Sequence, residues 1–193
     1  MSAVDTPIDP QVLKPALKTL LSKAAHYGAD AADAVATHGR SLSLSVRGGE
    51  LEDVDNSEGR DIGLRVMVGQ RQACVSSSDT KPDTLREMAD RAIAMAREAP
   101  EDPNAGLADP SQLASVTDNS SLELFDPSEE PDPAMLQDDA ARAEAAALQN
   151  KDISQVQAAS AGYSRSRVHL SASNGFSAGY TRSSRGLSCV AIS

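Results

Sequence analysis

The chain has 193 residues, 40% hydrophobic but only 3% aromatic and without tryptophan, so its core must be built from Ala, Val, Leu and Ile. Its net charge of −10 is local: residues 101–141 hold 11 acidic side chains and no Lys or Arg, leaving 17 acidic against 18 basic elsewhere. Neither structured part carries the dense basic stripe that phosphate contacts require, which excludes direct nucleic-acid binding as a reading. No apolar run approaches membrane-spanning length and no leader-type segment opens the chain. Cys74 and Cys189 fall in separate alternating segments. The expectation is a soluble, cytoplasmic protein with both thiols free and buried as small hydrophobes.

Residues 1–8 read as a loose end. Asp9-Pro10 predicts a helix start, with Asp as cap and Pro in the first turn. Val12, Leu13, Ala16, Leu17, Leu20, Leu21 and Ala24 recur at helical spacing up to a stop at Gly28, with Pro15 marking a later start or a bend. A first strand is predicted over 31–38, with a turn at Gly39-Arg40. The stretch 42–79 then organises the chain. Leu42-Ser-Leu-Ser-Val-Arg alternates and turns at Gly48-Gly49, and Glu50-Leu-Glu-Asp-Val-Asp runs to a second turn at 56–59. Ile62-Gly-Leu-Arg-Val-Met-Val and Gln72-Ala-Cys-Val-Ser follow, separated by Gly69-Gln70. Period-two runs punctuated by Gly and Asn predict an antiparallel meander.

A second helix opens at Lys81-Pro82-Asp83-Thr84, with Leu85, Met88, Ala89, Ala92, Ile93 and Ala96 as its apolar stripe and Pro100 as its stop. Residues 101–133 contain five prolines and many acids, the composition of an extended connector; Leu122, Leu124 and Phe125 are placed to pin it to a neighbouring surface. A third helix is predicted over 133–150, then strands over 155–163 and 167–173. Asn174-Gly175 is the strongest hairpin turn, followed by strands over 176–181 and 186–192. Order of elements thus repeats, with 42–51 matching 168–176. The fold class expected is α+β: antiparallel curved sheets with packed helices in two related helix–meander units. The domains predicted are 1–99, an acidic Pro-rich connector over 100–133, and a second unit over 134–193. Because Ser193 falls inside an alternating run, a fragment truncated in its second unit is expected.

Gly175-Phe-Ser177-Ala-Gly179 fits the G-x-S-x-G nucleophile pattern, which needs a strand-to-helix turn. Here the first Gly belongs to a hairpin, and no Asp, Glu or His follows Ser177. A Ser on a strand is the simpler reading. His26, His38 and His169 are isolated in sequence and form no H-E-x-x-H pattern. No phosphate-binding Gly pattern occurs, and Glu50 with Glu52 make a charged strand face. No catalytic, cofactor-binding or metal residue is therefore assigned, and the alternating segments read as framework.

Leu42-Ser-Leu-Ser-Val-Arg-Gly-Gly-Glu-Leu-Glu-Asp-Val, Gly63-Leu-Arg-Val-Met-Val and Gln72-Ala-Cys-Val-Ser-Ser-Ser-Asp resemble the N-terminal region of the TldD/PmbA family. Pro100-Glu-Asp-Pro-Asn-Ala-Gly-Leu-Ala-Asp, Leu122-Glu-Leu-Phe-Asp-Pro, Asn174-Gly175 and Ser183-Ser-Arg-Gly-Leu-Ser-Cys extend the likeness over nearly the whole chain after residue 12. The proline connector and Leu-Phe-x-Pro element point to the PmbA (TldE) branch. The resemblance implies a cytoplasmic metalloprotease system, also described as modulators of DNA gyrase, that acts in peptide-antibiotic maturation and antitoxin breakdown. It further implies a TldD-like partner or self-association, unfolded peptide substrates, and a metal, zinc, held only by the TldD-like subunit. The family's His-Glu-x-x-x-His motif has no counterpart between Met1 and Ser193, so no site residue is carried over.

Overall fold

The structure, a computed structural model, describes residues 10–193, with side chains from residue 14 onward. The expected loose end over 1–8, the Asp9 cap, and the side chains of Val12 and Leu13 lie outside these. In chain order the elements are α1 (Pro10–Tyr27), β1 (Ala31–Arg47), β2 (Glu50–Val68), β3 (Arg71–Ser77), α2 (Pro82–Glu98), α3 (Pro133–Leu148), β4 (Gln155–Ala172) and β5 (Ser177–Ile192). The strands form one antiparallel sheet in the order β3-β2-β1-β4-β5. This is the α+β class that the alternation and helical stripes predict.

Two predicted turns do not exist. β1 runs straight through Gly39-Arg40, and β2 through residues 56–59. A tight hairpin turn needs positive φ at its centre, and Gly48 and Gly49 have it, at 61° and 80°. Gly39 is instead a close-approach residue, since a Cβ there would sit 3.4 Å from the Arg165 carbonyl oxygen. The breaks predicted after residues 163 and 181 are likewise absent, and β4 and β5 are single strands. Helix α1 continues through Pro15.

Contacts group the described chain into two units, each assembled from three segments: the stretch up to His38, Gly59–Leu122 and Arg167–Tyr180 in the first; Gly39–Glu58, Glu123–Ser166 and Thr181–Ser193 in the second. In the first unit, Leu17, Leu20 and Ala24 of α1 and the full stripe of α2 pack with Ala32, Ala34 and Ala36 of β1, Ile62, Leu64 and Val66 of β2, and Val75 of β3. The six α2 residues predicted from spacing are all buried. The described buried residues of this core include no aromatic side chain, and seven of the sixteen are alanine. The second unit has a smaller core, in which Leu136 and Ala140 of α3 meet Leu44 and Val46 of β1 and Ala161 of β4. Helix α3 is capped by Asp132, whose carboxylate accepts from the Met135 amide at 2.7 Å.

Candidate functional site

Among the described residues polar chemistry comes together in several clusters, those of Glu144, Glu130 and His169 foremost. The first lies in the second unit, where α3 presents Leu136, Ala140 and Glu144 on one buried face. Glu144 is only 4% exposed, and its carboxylate accepts from the Gly48 amide at 2.7 Å and the Gly49 amide at 2.8 Å. One charged group thereby satisfies both donors of the β1–β2 turn. Arg47 donates to the Gln157 carbonyl at 2.8 Å beside it. An open cleft of about 450 Å³ lies here, lined by residues that include Arg47, Glu144, Leu148 and Gln157. Sequence reading missed Glu144. Its signal was an acid at the i+4 and i+8 positions of an apolar stripe, a placement that calls for a buried partner.

In the same unit, Glu130 accepts from Arg40 and from Arg165, the latter at 3.2 Å. The Arg165 guanidinium lies over the Phe125 ring, 4.7 Å from its centroid. The Ser183 amide donates to the Leu124 carbonyl at 3.0 Å, and the Asp126 amide to Ser183 Oγ at 2.9 Å. Leu124 and Phe125 thus pin the connector as predicted, whereas Leu122 stands 65% exposed. Burial, then the nearby Glu130 carboxylate, raises the Tyr163 pKa above its ordinary value. Farther along α3, Asp139 takes both Arg142 and Arg185, and the Arg185 hydrogen bond leads in holding its carboxyl below the usual range.

The third cluster is in the first unit. His169 is buried on β4, and its Nε2 lies 3.0 Å from Ser177 Oγ on β5, which is itself 3.2 Å from Ser171 Oγ. Burial, then Lys14, lowers the His169 pKa below its ordinary 6.5. A search downstream of Ser177 could not find this histidine, because it precedes the serine across the hairpin. Gly179 packs directly over it: a Cβ there would collide with the Val168 carbonyl oxygen and lie 2.6 Å from His169 Nδ1. Ser177 opens a strand after the hairpin turn, with Gly175 at φ 97°. The sharp strand-to-helix geometry of a nucleophile elbow is absent. Elsewhere in this unit Arg65 Nε holds Asp33 at 3.1 Å, beside a shallow groove of about 350 Å³ lined also by Val35, Gly63, Cys74 and Leu170.

Of the remaining residues weighed from sequence, His26 stacks edge-on against Tyr27 and His38 is half-buried on β1. Cys74 and Cys189 are free but exposed, which corrects the expectation of buried thiols. Cys74 falls on the outward register of β3 opposite Arg65, and Cys189 on the stretch of β5 where both faces meet solvent. Glu50 and Glu52 are exposed, with Arg47 reaching Glu52 at 3.3 Å. Among the described residues no group of three or more His, Cys, Asp or Glu could hold a metal ion. No described helix is long and apolar enough to cross a membrane.

These features define a class: an α+β sheet framework whose buried polar groups fasten turns, loops and strand pairs. Residues 32–96 match the family description PmbA/TldA metallopeptidase domain 1, and residues 126–193 match the PmbA/TldA metallopeptidase central domain. The chain belongs to the PmbA/TldD family. It is 38% identical over 141 residues to Metalloprotease PmbA of Escherichia coli O157:H7, covering 72% of this chain and 30% of that protein. Its fold is similar to that of TldE from Thermococcus kodakarensis, with a TM-score of 0.70 at 18% identity over 92% of this chain and 40% of that one. A Bacteroides thetaiotaomicron protein provisionally named a modulator of DNA gyrase shares the fold at a TM-score of 0.68 and 18% identity, over 91% of this chain and 40% of that one. This chain therefore spans less than half the length of each of these relatives.

Proposed function

We propose that this chain is the scaffold region of a PmbA/TldE-like subunit that partners a TldD-like metallopeptidase in cytoplasmic processing or degradation of peptides. The observation that carries this reading is the 38% identity to a PmbA metalloprotease across 72% of the chain. In this reading the zinc and the bond-breaking groups belong to the TldD-like subunit, and the sheet described above supplies shape. Peptide is captured by addition of an extended segment to an open strand edge, where main-chain hydrogen bonds give affinity without demanding one sequence.

A second reading, a non-enzymatic adaptor that modulates DNA gyrase, is favoured by the name of the Bacteroides relative. Pull-down separates the two. The full-length chain is expected to retain a TldD-like subunit and to release gyrase. Retention of gyrase alone would replace the first reading with the second.

A further inference from the structure

β3 closes β2 only from Ile62, opposite Ser77, to Val68, opposite Arg71. Residues 50–58 of β2 lie outside that register, and all nine are exposed. Five of them (Glu50, Glu52, Asp53, Asp55 and Glu58) are acidic and none is basic. Successive strand residues point to opposite faces, so Glu50 and Glu52 put negative charge on one face while Asp53 and Asp55 put it on the other. Leu51 and Val54, 44% and 49% exposed, stand between them.

This edge is already ordered. Glu144 fastens the Gly48-Gly49 turn at one end, and Ser57 Oγ lies 2.9 Å from Ser41 Oγ of β1 near the other. A rigid edge leaves little ordering cost on its own side of a complex. Pairing with the same edge of a second copy sets acid against acid, which is destabilising across strands. An incoming strand with cations on both faces meets the opposite situation, and lysine stems can lie along Leu51 and Val54.

We propose that residues 50–58 are a docking edge for an extended segment bearing Lys or Arg on both of its faces, added as a strand beside β2. The proposal rests on the peptide-capture reading above and names the chemistry of the segment. Backbone pairing supplies affinity, and charge selects basic sequence.

The test uses the full chain and three synthetic peptides: alternating Lys-Lys-Thr, its Glu-Glu-Thr counterpart, and the lysine peptide N-methylated at alternate amides. Titration calorimetry reads affinity and amide hydrogen exchange reads location. The lysine peptide is expected to bind and slow exchange within 50–58. Binding should weaken as salt rises from roughly 50 to 200 mM, because the exposed charges on both partners are screened. The glutamate and N-methylated peptides should each lose binding at least tenfold. Asp53→Lys with Asp55→Lys, both at exposed positions and checked for fold by circular dichroism, should reverse the preference toward the glutamate peptide. Lysine-peptide binding that leaves 50–58 unprotected overturns the proposal, as does equal binding of the N-methylated peptide or no binding at all. Protection of 50–58 that rises with protein concentration and without peptide also overturns it, in favour of self-association. A positive pull-down with a TldD-like subunit beside a failed peptide result sinks only this inference; the reverse sinks only the partnership.

Discussion

Glu144 occupies a helix position where spacing asks for an apolar side chain, and it is tolerated because two amides meet its two oxygens. Glu144→Ala removes both bonds, and hydrogen bonds to charged groups contribute about 1.5–3 kcal/mol. Water can reach the exposed turn glycines, so a loss toward the lower end, ~1.5 kcal/mol in urea unfolding, is expected. Glu144→Gln should recover part of it, because one carbonyl oxygen still accepts. His169 makes a different prediction. Burial lowers its folded pKa, so above the ordinary 6.5 both folded and unfolded forms are neutral and its contribution is complete. As pH falls below that value the unfolded chain takes up a proton more readily, and stability declines until the folded group also titrates. Comparing urea midpoints from about pH 7.5 to about pH 5.5, His169→Gln should flatten this part of the slope. Neither behaviour was visible in the sequence, where Glu144 looks like one acid of an Ala-Glu-rich helix and His169 like a structural or solvated residue on an alternating strand. Both depend on which side chain a distant segment brings alongside.

At the scale of elements, the alternation and the α2 stripe were readable because burial of one face imposes period two on a strand and 3.6 on a helix. The strand lengths were not. Gly39-Arg40 and the Asn56-to-Gly59 run carry the residue types of turns, but composition does not reveal whether a glycine serves positive φ or a close neighbour. The structure separates the cases: Gly48 and Gly49 have the first, and Gly39 the second. Continuous strands have a measurable consequence. In hydrogen exchange of the free protein, the amides of Ile62 to Val68, paired on β3 and inside the first core, should exchange far more slowly than those of 50–58. Equal rates along β2 would contradict both the β3 register and the solvated edge.

For the whole molecule, much of the negative charge sits in connecting segments, and several of these carboxylates hold local turns. Asp79 takes the Lys81 amide and the Thr84 hydroxyl, Asp109 takes Ser111, Asp118 takes Ser120, and Asp126 takes Ser128. These hydrogen bonds lower each pKa below the ordinary 3.8. Their contribution is complete above that value and is lost as pH falls through it toward the folded pKa. The thermal midpoint should respond little to these groups between about pH 7 and about pH 5, and fall below about pH 4. Family membership was legible from sequence only through the resemblance of particular segments. Physical reading of the residues yields a framework, and a framework does not announce what it holds.

The Glu144 latch also bears on how the protein is made. The carboxylate that closes the Gly48-Gly49 turn lies 96 residues downstream of Gly48. On a translating ribosome at about 5–20 residues per second, that gap corresponds to roughly 5–20 s. Throughout this interval the nascent β1–β2 tip has its two glycine amides on water alone, and only the emergence of α3 locks it.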